Sequence, residues 1–260
     1  MYKDFHYITI NQTPVTLEGK TQSLKNRGKS SEDEKLFGNE KEQKKIKEGL
    51  KDMYYLLSRD FPTKASVGLV GNRYRLKTRQ IKALQGMAAS SQDISLRKNK
   101  ELAPKELKDK IIYLDGFNVI ILFETLLSQG FIFKGLDGCY RDISSVHGTY
   151  KRVSQTQEVL VTIGEIFSKL ELKKVIWVFD APVSNSGKMK SFCYELAQQH
   201  NFKWEVLLDN SPDKFLCEGE KLVCSSDAWI LNECKQWFNL GNHIINNLFP
   251  NTKPSYIIEP

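Results

Sequence analysis

The chain has 260 residues with 38 Lys+Arg against 31 Asp+Glu, a formal charge of +7, long enough for one large domain or two modest ones with a substantial core. Its five cysteines, Cys139, Cys193, Cys217, Cys224 and Cys234, form no CxxC pair and have no histidine at zinc-finger spacing. An odd count without a signal peptide argues against a disulfide scaffold and for reduced thiols in the cytoplasm. No membrane segment is expected, because the apolar stretch 111–127 is too short and is interrupted by Asp115, Asn118 and Glu124.

Charge divides the chain. Residues 1–110 carry 24 Lys+Arg against 14 Asp+Glu, and residues 111–260 carry 14 against 17, so a basic half that suits a polyanion precedes an acidic half. Residues 1–42 mix Thr, Ser, Gly and both charges with little periodic apolar content and read as a disordered tail. From Glu40, the spacing of Ile46, Leu50, Met53, Tyr54 and Leu57 predicts an amphipathic helix ending near Arg59, before Asp60-Phe61-Pro62. A helix from Thr63 to Gly71 and a second from Asn72 to Leu84 give residues 43–90 a helix-turn-helix outline. The second is lined by Arg73, Arg75, Lys77, Arg79 and Lys82 with Tyr74 among them, which suits phosphate contacts beside a stacking ring; a solvated basic face on a packing unit fits the same residues. Residues 91–109, rich in Ser, Lys, Glu and Asp, read as a linker with a short helix after Pro104.

Beyond Lys110, apolar runs alternate with helical periods. Strands are expected at 111–114, 131–133, 175–179, 204–208 and 222–224, and helices at 119–129, 156–170, 188–200 and 227–237. This alternation predicts an α/β fold over 110–248, a three-layer sandwich with a mainly parallel central sheet, followed by a tail at 249–260. Three of the strands run into an aspartate: Leu114-Asp115-Gly116, Phe179-Asp180-Ala181 and, after Cys224, Ser225-Ser226-Asp227. In a parallel sheet those carboxylates share the edge where ligands bind, and they repel one another unless a divalent cation such as Mg²⁺ or Mn²⁺ sits among them. Gly116 permits a tight exit from the strand, and Asn118 can direct its amide at a phosphate or a bound water without adding charge. Asp227 also stands where a helix N-cap belongs, so capping and ligation both remain open for it. Glu124 and Asp142 are secondary candidates; Arg141 and His147, in the long polar loop, are candidate phosphate contacts. Asp209 and Asp213 read as members of a solvated loop.

The strings Leu114-Asp115-Gly116-Phe117-Asn118-Val119, Val178-Phe179-Asp180-Ala181-Pro182 and Ser225-Ser226-Asp227-Ala228 resemble the PIN-like superfamily, in the branch with a DGYN-type first motif. With Gly71-Asn72-Arg73-Tyr74-Arg75-Leu76 and Val146-His147-Gly148-Thr149-Tyr150, residues 50–245 look like a DUF434 protein with a C-terminal DUF5616 PIN-like domain. The resemblance implies an Mg²⁺- or Mn²⁺-dependent ribonuclease, with Asp115, Asp180 and Asp227 binding metal, Asn118 orienting water or phosphate, and Glu124 or Asp142 as a fourth acidic ligand. RNA would be held by the basic N-terminal domain. The competing expectation is a PIN-like module that only binds RNA or protein. A haloacid-dehalogenase reading fails because Phe117 stands where a second aspartate is needed, and no P-loop or GxGxxG string is present for a nucleotide cofactor.

Overall fold

The computed structural model describes residue 27 and residues 30–144 and 148–260 of the chain. It opens with α1 (Asp33–Phe37), α2 (Glu40–Leu57), α3 (Thr63–Tyr74), α4 (Thr78–Met87) and α5 (Ser91–Lys100). Helix α2 buries Ile46, Leu50 and Met53 on one stripe, as the 3.6-residue period requires. Helix α3 runs through Gly71 to Tyr74, because Arg75 supplies the left-handed stop at φ 52° in place of the glycine. Part of the expected tail is therefore ordered: Asp33 is fully buried and its carboxylate is gripped at both oxygens by Arg79, at 2.6 and 2.8 Å.

The second half runs β1 (Ile111–Asp115), α6 (Gly116–Leu127), β2 (Ile132–Lys134), β3 (Tyr140–Arg141), α7 (Thr156–Lys169), β4 (Lys174–Asp180), α8 (Ser186–His200), β5 (Trp204–Asp209), α9 (Pro212–Cys217), β6 (Leu222–Cys224), α10 (Ala228–Glu233), β7 (Gln236–Trp237), α11 (Leu240–Leu248) and β8 (Ile257–Ile258). Five of these strands form the central sheet in the order β5-β4-β1-β6-β7, every pair parallel. The fold is α/β, a helix-covered parallel sheet, as the alternation of apolar runs predicts. Its two faces follow from the two-residue period of a strand. Ile112, Leu114, Val175, Trp177, Phe179 and Val206 point into one core with α6, α7, α8 and α11. Ile111, Tyr113, Ile176, Val178 and Val223 point into the other with α9 and α10. Both faces are covered, which is why these strands read as unbroken apolar runs.

Several expected boundaries move. The segment expected as a linker carries α5, whose backbone and side chains are tied to the sheet domain: Trp237 Nε1 donates to Arg97 O at 2.7 Å, Arg97 Nε donates to Asn232 at 2.7 Å, and Leu102 N donates to Trp237 O at 2.8 Å. The helix expected over 227–237 ends at Glu233, and Gln236–Trp237 joins the sheet beside β6 instead. The expected C-terminal tail contributes β8, which pairs in parallel with β2 while β3 pairs with β2 in antiparallel, a three-stranded sheet. Phe131, Phe133, Ile143 and Ile258 from this region share one core with Phe37, Ile46, Leu50, Leu84 and Met87 of the N-terminal helices. The five cysteines are free thiols, four of them buried. Among the described residues no helix is long and apolar enough to cross a membrane.

Candidate functional site

Strand β1 passes into α6 with no intervening residue, so Asp115 sits at the strand tip and at the helix N-cap together. Position 116 must be glycine, since a Cβ there would lie 2.5 Å from the Phe179 ring and 2.8 Å from Val178 O. The Asp115 side chain does not cap its own helix. It accepts instead from Ser225 Oγ at 2.7 Å, across the gap between β1 and β6. Ser225 Oγ in turn accepts from Asp227 N at 3.0 Å, and Asn118 Oδ1 accepts from Ser226 N at 3.1 Å and from Ser226 Oγ at 2.8 Å. Asn118 thus pins the loop after β6 to the first turn of α6.

The order β5-β4-β1-β6-β7 reverses its direction of winding at β1, so the crevice beside the β1 tip is the topological switch point, the usual ligand position in such sheets. Next to it, over the tips of β1 and β4, lies a cleft of about 250 Å³ lined by Asp115, Asn118, Asp142, Asp180 and Asp213 with Phe117 and Val183 among its apolar walls. Burial pushes the Asp115 carboxyl up to about 7; the Ser225 hydroxyl opposes this, while Asp213 and Asp227 add to it. Burial likewise pushes Asp142 up to about 6 against the backbone N–H of Ser144, which donates to its Oδ1 at 2.6 Å. Asp180 rises above its ordinary range through burial, and Asp213 through burial followed by the charges of Asp227 and Asp180.

Of the expected acidic residues, Asp115, Asp180 and Asp142 therefore face one cleft. Asp227 contributes its field, but its Oδ1 accepts from Trp229 N and Ile230 N at 2.8 and 3.1 Å, so it is engaged as the N-cap of α10. Glu124 does not reach the cleft. It is fully buried, with Oε1 accepting from Tyr150 and Thr156 and Oε2 paired with Arg27. Asp213, assigned from sequence to a solvated loop, stands in the first turn of α9 and lines the cleft. The signal was present in Ser211-Pro212-Asp213, a serine and a proline at the entrance of a helix. Among the described residues no three His, Cys, Asp or Glu side chains are already close enough to share a metal ion.

The expected phosphate contacts also sort by partner. Arg141 is unavailable, because its guanidinium is held by Asp137 at 2.8 and 2.6 Å and donates from Nε to Ser226 O at 2.7 Å, a brace behind the site. Arg79 is committed to Asp33, and Lys82 Nζ donates to Ile143 O at 3.0 Å, joining α4 to the loop that carries Asp142. Arg73 and Arg75 are exposed, Arg73 within 3.4 Å of Asp52, and Lys77 is exposed at the N-cap of α4. His147 lies outside the described residues.

Comparison with known proteins finds two family matches in tandem: "Protein of unknown function (DUF434)" over residues 45–100 and "Domain of unknown function (DUF5616)" over residues 104–243. The chain is also similar to the Uncharacterized protein MJ0935 of Methanocaldococcus jannaschii, 30% identical over 186 residues that cover 72% of this chain and 88% of the relative. No solved structure matches. The DUF5616 match spans more than half of the chain and contains every acidic residue of the cleft, and the chain belongs to the DUF5616 family, with a DUF434 segment ahead of that domain.

Proposed function

We propose that this protein is a PIN-like, divalent-metal-dependent ribonuclease that hydrolyses RNA phosphodiester bonds at the acidic cleft, with RNA held by the basic N-terminal helices. The observation that carries the reading is Asp115. It is a desolvated carboxyl at the switch point of a parallel sheet, its neighbours are further carboxylates, and among the described residues its partners are a serine hydroxyl and a backbone N–H rather than a basic side chain. A buried acid in such company gains most from a cation. The donor set fits one, since carboxylate oxygens are the ligands that Mg²⁺ and Mn²⁺ take.

Asp115, Asp180 and Asp213 would hold the ion, with Asp142 at the margin. Such an ion, when bound, supplies a water of lowered pKa and neutralises charge on the scissile phosphate. The rest falls to the protein. The N-terminus of α6 directs backbone N–H groups at an anion in the cleft. Asn118, its carbonyl end used by Ser226, has its amide end left to donate to a phosphate oxygen. Asp142, with Oδ1 occupied by Ser144, can hold a proton on Oδ2 for the leaving oxygen. Purified protein incubated with RNA and Mn²⁺ should cleave it, EDTA should stop the reaction, and Asp115→Asn should lower the rate on the order of 10²-fold or more. Cleavage that survives both chelation and the substitution overturns the reading.

A second reading, a PIN-like module that binds without cleaving, is favoured by two observations: Asp227 uses its Oδ1 for capping, and no three acids stand within reach of one ion among the described residues. Thermal unfolding separates the two. A working site gains stability with Mn²⁺, about 2.7 kcal/mol at a hundredfold excess over Kd, and a vestigial one does not.

A further inference from the structure

We propose that the α2–α3 hairpin is a stacking platform for unpaired bases of RNA, built from Tyr55, Phe61 and Leu69 interleaved with Arg59, Lys64 and Arg73. This rests on the RNA reading above and names where the strand is gripped. Eight large apolar side chains are exposed among the described residues, and four of them, Tyr54, Tyr55, Phe61 and Leu69, fall on this one hairpin. Tyr55 is 55% exposed, Phe61 51% and Leu69 62%, which is costly on a surface with no use for them.

Helical spacing sets these residues in two rows. Asp52, Tyr55 and Arg59 are spaced i, i+3, i+7 on α2 and its end, and Leu69 and Arg73 are spaced i, i+4 on α3. The ion pair between Arg73 and Asp52 joins the two rows. Phe61 N donates to Leu56 O at 3.2 Å, which folds the turn back onto the last turn of α2. The Arg59 guanidinium lies over the Tyr55 ring at 3.7 Å. A flat aromatic already ordered by an arginine plane accepts a nucleobase as the next layer with little further loss of freedom.

Charge decides between occupants. Between residues 51 and 75, Lys51, Arg59, Lys64, Arg73 and Arg75 outnumber Asp52 and Asp60, so a second copy of the chain would bring like charge onto the same face, whereas a polyanion is drawn to it. Duplex RNA keeps its bases stacked on each other and cannot offer them to the rings, so the occupant is single-stranded. Arg79 and Lys82 lie off this platform, Arg79 paired with Asp33 and Lys82 donating to Ile143 O.

The test uses the full chain and a fluorescent single-stranded RNA in EDTA, where cleavage is arrested, read by anisotropy across a salt series. Wild type should bind the single strand at least about tenfold more tightly than a duplex of the same sequence. Tyr55→Ala/Phe61→Ala should weaken binding about tenfold or more with an unchanged salt slope, as loss of stacking requires, while Arg59→Ala/Lys64→Ala should reduce the slope. These side chains are exposed, so unfolding temperatures should match wild type. Undiminished binding by the aromatic variant, equal affinity for duplex, or loss of self-association in that variant without loss of RNA binding would each overturn the proposal. Binding intact with no cleavage by wild type in Mn²⁺ would sink the nuclease reading and leave the platform standing.

Discussion

Two buried acids lie behind and in front of the same sheet edge, and their surroundings are opposite. Asp137 sits between Arg97 and Arg141, both nearly inaccessible; burial works against its charge, but the two guanidinium groups hold its carboxyl below the ordinary range. Among the described residues Asp115 has no basic partner; it accepts from a serine and is pushed up to about 7. The Asp137 cluster is compensated within the protein and ties β2–β3 to α5 and to the loop after β6. Asp115 is left uncompensated among the described residues, and an uncompensated desolvated charge is the condition under which an outside cation contributes most. A strongly perturbed acid with its partners inside the fold marks architecture; one whose missing partner must come from solution marks a candidate site.

The sharpest way to break this contrast is to neutralise each acid in turn. Asp137→Asn strands two buried arginines and should cost about 3–5 kcal/mol in urea unfolding, whereas Asp115→Asn removes an unpaired charge and should leave stability unchanged or raised. Equal losses from the two substitutions would erase the distinction.

The next effect is in pH. Asp115 and Asp142 have folded pKa values above those of the unfolded chain, so between the ordinary carboxylate range and about 7 the native state binds more protons than the unfolded one. Stability of the metal-free protein should therefore be greatest at the acid side of that window, fall as pH rises through it, and level off above about pH 7. Asp115→Asn should flatten most of the slope in a series of melting temperatures, and a slope of the opposite sign would mean that Asp115 is compensated after all. The smallest effect is expected from Ser225→Ala. It removes one donor from the carboxylate, costs about 1 kcal/mol at neutral pH, and moves the midpoint of the pH profile upward; a downward shift would show that Ser225 is not the group holding Asp115 charged.

How far the sequence carried this picture depends on the distance over which each feature is determined. Strands β1 and β4 were legible because burial on both faces leaves an unbroken apolar run, and their terminal aspartates were legible because the run stops there. Helix α5 was not, since Arg97 is its buried residue and no apolar stripe marks it. Strand β8 depends on a partner more than a hundred residues away, and β7 is two residues long. The same distinction holds for charged groups. Arg79 is a plain cation in the sequence, and only tertiary structure brings Asp33 to it; Asp137 stands four residues before Arg141, and what the sequence does not show is that Arg97 joins them. Asp213 was missed because its helix spans six residues, too few for a period to show. Asp227 was read as having two possible roles, and its Oδ1 performs the capping one.

The core shared by Phe37, Leu84 and Met87 with Phe131, Phe133 and Ile258 has a consequence for inheritance. The two matched families lie in tandem along the chain, yet a cut between them would expose apolar rings on both sides, at about 1.5–3 kcal/mol for each buried side chain released to water. Neither segment can be shuffled into a new gene without taking its neighbour or rebuilding this seam. A DUF5616 domain found without a DUF434 segment should therefore carry polar residues where this chain has Phe131 and Phe133, or cover them with some other element.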